Sequence, residues 1–381
     1  MDKSGLWITF PLEIIQIIFS YTNFIAQIRL KSVCKLFCQK LEIDSIMETV
    51  GYGYSHKLCD QFLQSYPMLK RLKTSYNPRI TDINFLTRLE VLVAEGFNGG
   101  IRNESIRRIS NLRELYIDYN SNIYEINHLT KLEVLSANGA VFITNVHVRS
   151  LCNLRELYIS DARTSNLTNL NHMTNLKILN MRGCNCGLDD AGIAKLNLVE
   201  LHVNDNEKIT DLNHMTNLKV LYACKYSGIG DAGISKLNLR QLHVTDNPRI
   251  TNLNHMSELE ILYANGSNCG IGDEGIVHLN LKELRVSDTY GIKYLNHLTR
   301  LEILHAAGKY CEIDNVSIGG LTNLRELRCT NNPHITDLNH LTRLEILSAR
   351  GEHCGISNDS ILRLKLKELD TNKQNKKLTP R

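Results

Sequence analysis

Leu112-Arg-Glu-Leu115-Tyr-Ile117 is answered twenty residues later by Leu132-Glu-Val-Leu135-Ser-Ala137, and then by Leu154-Arg-Glu-Leu157-Tyr-Ile159. Side chains alternate along a strand. In the first phrase the leucines and Ile117 therefore point to one side, and Glu114, Tyr116 and Asp118 to the other. The Leu-x-x-Leu phrase occurs fifteen times in two alternating classes. One class starts at Leu69, Leu112, Leu154, Leu198, Leu239, Leu281, Leu324 and Leu366, the other at Leu89, Leu132, Leu176, Leu218, Leu259, Leu301 and Leu344. The starts lie about 20 to 23 residues apart. A unit that short cannot bury its apolar face alone, so neighbours stack into a continuous core. The fold class read from this pattern is an α/β solenoid with a parallel sheet.

The two classes return differently. The first runs on as Asn247-Pro-Arg-Ile-Thr-Asn-Leu-Asn-His-Met256, whose Ile and Leu refill the core through a tight convex turn. Its ninth position is Asn at Asn77, Asn120, Asn206, Asn247 and Asn332. A buried amide there can satisfy backbone groups of its own turn and its neighbour's. The second class carries Gly-Ile-Gly-Asp-Ala-Gly-Ile234, Gly-Ile-Gly-Asp-Glu-Gly-Ile276 or Gly-Leu-Asp-Asp-Ala-Gly-Ile193, where Asp is placed to cap a short helix. Cys186, Cys269, Cys311 and Cys354 share one position before that turn. The phrase and its period resemble leucine-rich repeats, and the second class resembles their cysteine-containing kind. The resemblance implies a horseshoe with a concave parallel sheet over residues 67–371. Fifteen strands would leave a concave face about 65–70 Å long, ample for a protein and without a deep pocket for a small molecule.

The bulk numbers narrow the function. The chain has 381 residues, 44 Lys and Arg against 40 Asp and Glu, and a formal charge of +4. So small a surplus makes no electrostatic case for nucleic acid or a membrane surface. No apolar run is long enough to span a bilayer. The run around Ile14-Ile15 and Ile17-Ile18-Phe19 is broken by Gln16, preceded by Pro11 and Glu13, and followed by no small-residue cleavage site, unlike a signal peptide. Eleven cysteines in a long chain do not form a small secreted framework. They read as reduced, buried, structural thiols of a cytoplasmic or otherwise intracellular protein. The glycosylation-like triplets at Asn103, Asn166 and Asn315 then read as chance matches.

Residues 1–45 have different chemistry. Ile14, Ile17, Ile18 and Tyr21 fall on one helical stripe, and Leu30, Val33, Cys34 and Phe37 on another. Pro11 stands where a first helical turn tolerates proline. Two or three short helices make a poor core, so either some of this surface meets a partner or the segment caps the repeats. Residues 46–66 read as a helical linker or cap, and 372–381 as a disordered basic tail. The residue order, Pro11-x-Glu13-Ile14 reaching Ile18-Phe19-Ser-Tyr21 and then Val33-Cys34-Lys35-x-Phe37, resembles the F-box. It departs at Phe10 and at Thr22-Asn23, where the family has Leu. An F-box joined to leucine-rich repeats is a recurring family architecture. The Asn/Ile/Lys-rich composition and near-identical repeats are similar to F-box/leucine-rich-repeat proteins of giant DNA viruses of amoebae. The resemblance implies an adaptor that docks on the Skp1-type subunit of a cullin-based ubiquitin ligase and chooses a substrate with its repeats. Phe10, Pro11, Ile14, Ile18, Val33, Cys34 and Phe37 would face or support that subunit.

On the expected concave face, one exposed column reads Tyr116, Ser136, Tyr158, Asn180, His202, Tyr222, His243, Tyr263, Arg285 and His305. Tyr116, Tyr158, His202, Tyr222, His243, Tyr263, Arg285 and His305 are the candidate substrate contacts, since Tyr and Arg are enriched at hot spots. Tyr is also simply a comfortable strand residue. The neighbouring column alternates Glu114, Glu156, Glu200, Gln241 and Glu283 with β-branched residues, a pattern open to a basic or amphipathic partner. His128, His172, His214, His255, His297 and His340 recur after Asn. Neighbours would stand about 10 Å apart, too far to converge on one zinc ion at about 2.0–2.3 Å. Cys184-x-Cys186 and Cys34-x-x-x-Cys38 lack a second ligand pair. No metal, no cofactor and no catalytic residue is assigned, since no phosphate-binding loop, dinucleotide glycine pattern or nucleophile motif is present. A binding scaffold without a ligase link remains the alternative.

Overall fold

The computed structural model describes residues 11–47, 58–160, 167–183, 187–357, 359–361 and 363–371. Phe10, Asn166, Cys184, Cys186 and the tail lie outside them. Two compact units are formed, Met1–Leu176 and Lys177–Arg381.

The first unit opens with three helices, α1 (Leu12–Ser20), α2 (Phe24–Lys31) and α3 (Lys35–Lys40). Pro11 takes the position just before α1, Asn23 caps α2 by accepting the Ala26 amide at 2.8 Å, and Cys34 Sγ caps α3 by accepting the Phe37 amide at 3.5 Å. Ile15, Phe19, Phe24, Phe37 and Leu41 form a small core. Gln27 is buried among them and ties α1 to α2 by donating to the carbonyls of Phe19 and Thr22 at 3.1 and 3.0 Å. Phe24 also meets the edges of Phe62 and Tyr66, with ring centroids 6.0 and 6.2 Å away. Phe62 belongs to a helical turn, α4 (Asp60–Leu63), so the helices pack onto the first repeat.

Strand β1 (Ser45–Ile46) pairs in parallel with β2 (Arg71–Lys73), Ile46 opposite Leu72. The sheet thus starts one unit before the first Leu-x-x-Leu phrase. Ile43-Asp-Ser-Ile46 supplies the same geometry with isoleucine, and both isoleucines are buried. β3 (Val91–Val93), β4 (Glu114–Tyr116), β5 (Val134–Ser136) and β6 (Glu156–Tyr158) complete the strands of this unit. The second unit holds β7 (Ile178–Asn180), β8 (Glu200–His202), β9 (Val220–Tyr222), β10 (Gln241–His243), β11 (Ile261–Tyr263), β12 (Glu283–Arg285), β13 (Ile303–His305), β14 (Glu326–Arg328), β15 (Ile346–Ser348) and β16 (Glu368–Asp370). From β2 onward the strands within each unit are parallel and in register, leucine opposite leucine. The phrase leucines from Leu69 to Leu347 are at most 3% exposed. Each contributes roughly 1.5–3 kcal/mol of burial.

Short helical turns belong to the second class: Asn103–Ile106, Asn145–Val148, Asp190–Ile193, Asp231–Ile234, Asn315–Ile318 and the 3-10 turn Asp273–Gly275. Asp189 caps its turn as expected. Asp231 and Asp273 do not, because Gly230 and Gly272 occupy the cap position. Their carboxylates sit one residue later and serve the next repeat instead. Asp231 accepts the Thr251 amide at 2.8 Å, the Thr251 hydroxyl at 2.6 Å and the Asn252 amide at 3.2 Å.

Three of the ninth-position amides act as the sequence implies, whereas Asn206 accepts the Lys208 and Ile209 amides and its buried Nδ2 finds no partner among the described residues. Asn120, Asn247 and Asn332 are fully buried, and each donates Nδ2 to a carbonyl of the preceding repeat, at Ala94, Ala223 and Ala306. Thr289 replaces Asn once and keeps that bond, to Ala264 at 2.7 Å. The loop residue just before this position has positive φ in the first class, as at Asp246 and Asp288, and its counterpart in the next repeat is Gly266 or Gly308. A Cβ on Gly308 would lie 2.0 Å from Asp288 Oδ1, so the glycine leaves room for the side chain beneath it. Lys225 is the exception in the second class. Around β11 the charges alternate as well, Glu260 bridging Arg240 at 3.3 Å and Lys282 at 2.9 Å, whereas Lys219 on β9's side stands beside Arg240.

Of the nine described cysteines only Cys311 and Cys329 are buried, while Cys38 and Cys152 are exposed. The expectation of uniformly buried thiols is therefore corrected. The second-class loops hold half-buried thiols at Cys224, Cys269 and Cys354, and the helix caps do so at Cys34 and Cys59. No helix among the described residues is long and apolar enough to cross a membrane.

Candidate protein-binding surfaces

In-register strands place residues of one column side by side, about 4.8 Å apart. Aromatic rings at that spacing touch. In the second unit His202 stacks on Tyr222 and Tyr222 on His243, each pair 3.9 Å apart and nearly parallel, at 11° and 15°. Tyr263 meets His243 edge-on at 4.1 Å, and the Arg285 guanidinium lies 4.1 Å over the Tyr263 ring. The column is therefore half-buried by its own members rather than freely exposed, and His243 is only 8% exposed.

The neighbouring glutamates fix these rings. His202 Nε2 contacts Glu200 Oε1 at 2.6 Å. Glu283 Oε1 accepts the Tyr263 hydroxyl at 2.7 Å and Arg285 Nε at 2.8 Å. Glu326 Oε1 takes Arg328 Nε at 2.6 Å and His305 Nε2 at 3.3 Å. Burial first, then His202 and Arg285, hold His243 down at about 4, so it is neutral near pH 7. Burial, then Arg285, also lowers His305. Burial and the Glu283 carboxylate push Tyr263 up to about 12. In the first unit Tyr116 and Tyr158 donate to Glu114 and Glu156 at 3.0 and 2.9 Å. In each unit the column is a polar–aromatic surface whose side chains are held by neighbouring carboxylates.

The six repeated histidines have a different job. Each Nε2 lies 3.0–3.3 Å from a backbone carbonyl of the preceding short helical turn, at Ile106, Val148, Ile193, Ile234, Ile276 and Ile318. A carbonyl only accepts, so each Nε2 carries the proton. The preceding Asn often reaches the other way: Asn254 donates to Glu274 O and accepts the His278 amide. The dipeptide laces three successive repeats.

A second surface lies on the helices. α1 buries Ile15 and Phe19. Helical spacing then turns Ile14, Ile17, Ile18 and Tyr21 outward, Tyr21 being 88% exposed. Val33 and Leu36, beside the start of α3, are 66% and 51% exposed. This is an uncovered aliphatic stripe. Residues 7–47 match the F-box domain. Among solved structures, the chain is similar to a leucine-rich-repeat protein of Leptospira interrogans, with 18% identity, 91% of this chain and 98% of that one covered, and a TM-score of 0.51. An internalin (InlF) of Listeria monocytogenes is 26% identical over 70% of this chain and 82% of that one, with a TM-score of 0.49. No curated protein matches. The repeats are a leucine-rich-repeat solenoid preceded by an F-box helical region.

Of the F-box residues singled out by sequence, Pro11, Ile14, Ile18 and Val33 are exposed. Cys34 is half-buried as the α3 cap, and Phe37 is 5% exposed. Phe37 supports the surface from beneath instead of facing a partner, because it packs inward from the middle of α3. Phe10 lies outside the described residues. Ile17, Tyr21 and Leu36 were not singled out as contacts. The signal for the first two was the i, i+4 pair Ile15–Phe19, which sets the buried side of α1.

Proposed function

We propose that this chain is a substrate-recruiting adaptor of a Skp1–cullin–F-box type ubiquitin ligase. F-box domains bind Skp1-type subunits and leucine-rich-repeat domains bind proteins, and both are typically interaction modules without catalysis. The observation that carries the reading is the exposed stripe Ile14, Ile17, Ile18, Tyr21, Val33 and Leu36 on the segment that matches the F-box. Covering apolar surface is favourable by roughly 25 cal/mol per Å². The substrate surface is the ring column Tyr222, His243, Tyr263 and Arg285 with its flanking residues. Stacking has already ordered those side chains, so binding loses little further rotamer freedom. The adaptor acts by raising the concentration of substrate beside the ubiquitin-carrying enzyme. The Asn/Ile/Lys-rich composition and near-identical repeats support extending the proposal to a giant-virus adaptor that works in the cytoplasm of an infected host.

A second reading, a scaffold whose helices merely cap the repeats, is favoured by the Phe24–Phe62–Tyr66 cluster and the β1–β2 pairing. A pull-down of a recombinant Skp1-type protein separates the two. The full chain is expected to bind, and Ile14→Asp/Ile18→Asp to lose binding with an unchanged circular dichroism spectrum, since both side chains are exposed. A folded, intact chain that captures no Skp1-type protein leaves the scaffold.

A further inference from the structure

Cys269 and Cys311 occupy the shared position before the second-class turn, and the residues 25 positions earlier are Val244 and Val286. At the same offset from Cys354 stands another cysteine, Cys329. The last of these double repeats therefore holds a thiol pair where the two before it hold a thiol and a valine. Cys329 follows β14 and is fully buried, while Cys354 is half-buried in the loop after β15. The Cys354 thiol donates to the Cys329 carbonyl at 3.8 Å, which holds the two residues side by side.

We propose that Cys354 and Cys329 are a hydroperoxide-sensitive dithiol, in which the accessible Cys354 is oxidised and the buried Cys329 resolves it into a disulfide. The Cys354 thiolate attacks the terminal oxygen of a hydroperoxide. An S–O bond forms, the O–O bond breaks, and the leaving oxyanion takes a proton to become water or an alcohol. Sulfur is oxidised by two electrons to a sulfenic acid and the peroxide is reduced. Cys329 Sγ then attacks Cys354 Sγ. The S–S bond forms, the S–O bond breaks, and hydroxide departs as water with the Cys329 proton. A small dithiol reverses the step by exchange.

The surroundings favour this division of roles. The neighbouring Cys329 thiol holds the Cys354 thiol down at about 7. Burial pushes Cys269 and Cys311 up to about 11. Since the thiolate is the nucleophile, Cys354 is the most reactive of these three thiols near neutral pH. The product would tie together the repeats that carry β14 and β15.

The test uses the full chain, reduced, stripped of reductant, treated with hydrogen peroxide, alkylated and digested for mass spectrometry. Cys329→Val and Cys354→Ser are compared with it. Both variants restore residues that other repeats already carry, Val at Val244 and Val286 and Ser at Ser227, so the fold is retained. The expected result is a Cys329–Cys354 cross-linked peptide that dithiothreitol removes. Cys329→Val should instead trap Cys354 as a dimedone-reactive sulfenic acid, and Cys354→Ser should leave Cys329 free. The alkylation rate of Cys354 should reach half its plateau near pH 7 in the parent and about a unit or more higher in Cys329→Val. Cys354 passing to sulfinic acid without a cross-link in the parent would overturn the proposal. So would oxidation of the exposed Cys38 and Cys152 while Cys329 and Cys354 both stay reduced.

Discussion

Truncating Asn247 to Ala is expected to destabilise the second unit by about 3–5 kcal/mol. The side chain is fully buried. Its Nδ2 donates to Ala223 O at 2.7 Å and to Ile229 O at 3.2 Å, and its Oδ1 accepts the Arg249 amide at 2.8 Å. Alanine removes the partner of two carbonyls and one amide. An unsatisfied buried polar group costs about 1–3 kcal/mol, and a water entering the vacated volume relieves part of the total. Asn247→Thr provides the internal control. Thr289 holds the equivalent place and keeps the bond to the preceding repeat, so threonine should retain one interaction and lose about half as much. Urea unfolding followed by circular dichroism reads the loss, with the slope of the transition checked because repeat arrays can unfold in parts. Hydrogen exchange on β9 to β11 localises it. An alanine variant within about 1 kcal/mol of the parent, or a threonine variant no better than alanine, would refute the argument and assign the loop geometry to the stacked leucines alone.

His243 should make stability fall in mild acid. Its folded value is about 4 against an ordinary 6.5, so the unfolded chain takes up the proton first as pH drops. The neutral ring's contribution is complete above pH 6.5 and is lost progressively down to pH 4. After allowance for partial solvent screening this amounts to about 1–2 kcal/mol. His243→Phe keeps the ring and removes the titration, so the stability difference between parent and variant should change between pH 7 and 4 in urea titrations. A pH-independent difference would sink the idea. Gly308→Ala should lower the melting temperature, since it combines φ +99° with a Cβ 2.0 Å from Asp288 Oδ1. A penalty of about 1–3 kcal/mol is expected. Asp288→Gly should relieve the clash but not the backbone term, so a double-mutant cycle showing no favourable coupling contradicts the contact.

The register of the repeats was legible because leucine alternation is a burial code. Each of the fifteen phrases carries one strand, and the outward column falls on Tyr116, His202 and Tyr263 as read. Two kinds of feature escaped. β1 was hidden because isoleucine replaces leucine at Ile43 and Ile46, which burial does not distinguish. Asp231 and Asp273 were read as caps because an acidic residue before a short helix usually is one. Which side of the cap it takes depends on the following turn, a contact about twenty residues away. The half-burial of His243 also depends on neighbours in the next strands, so a single phrase could not reveal it. The Cys329–Cys354 pair shows the same limit: each cysteine looks ordinary until the stacking offset is known.

The alternation of classes sets how such a chain can change length. Excising one repeat between β10 and β12 would set Arg240 against Lys282 and Asp246 against Asp288. It would also leave an Asn–His dipeptide without a helical turn on one side. The charge pairing, the room that Gly266 leaves and the lacing would all be lost at this seam. Excising two repeats restores all three. At this seam the alternation therefore favours changes in even steps, so that a partner surface there would grow or shrink by double repeats.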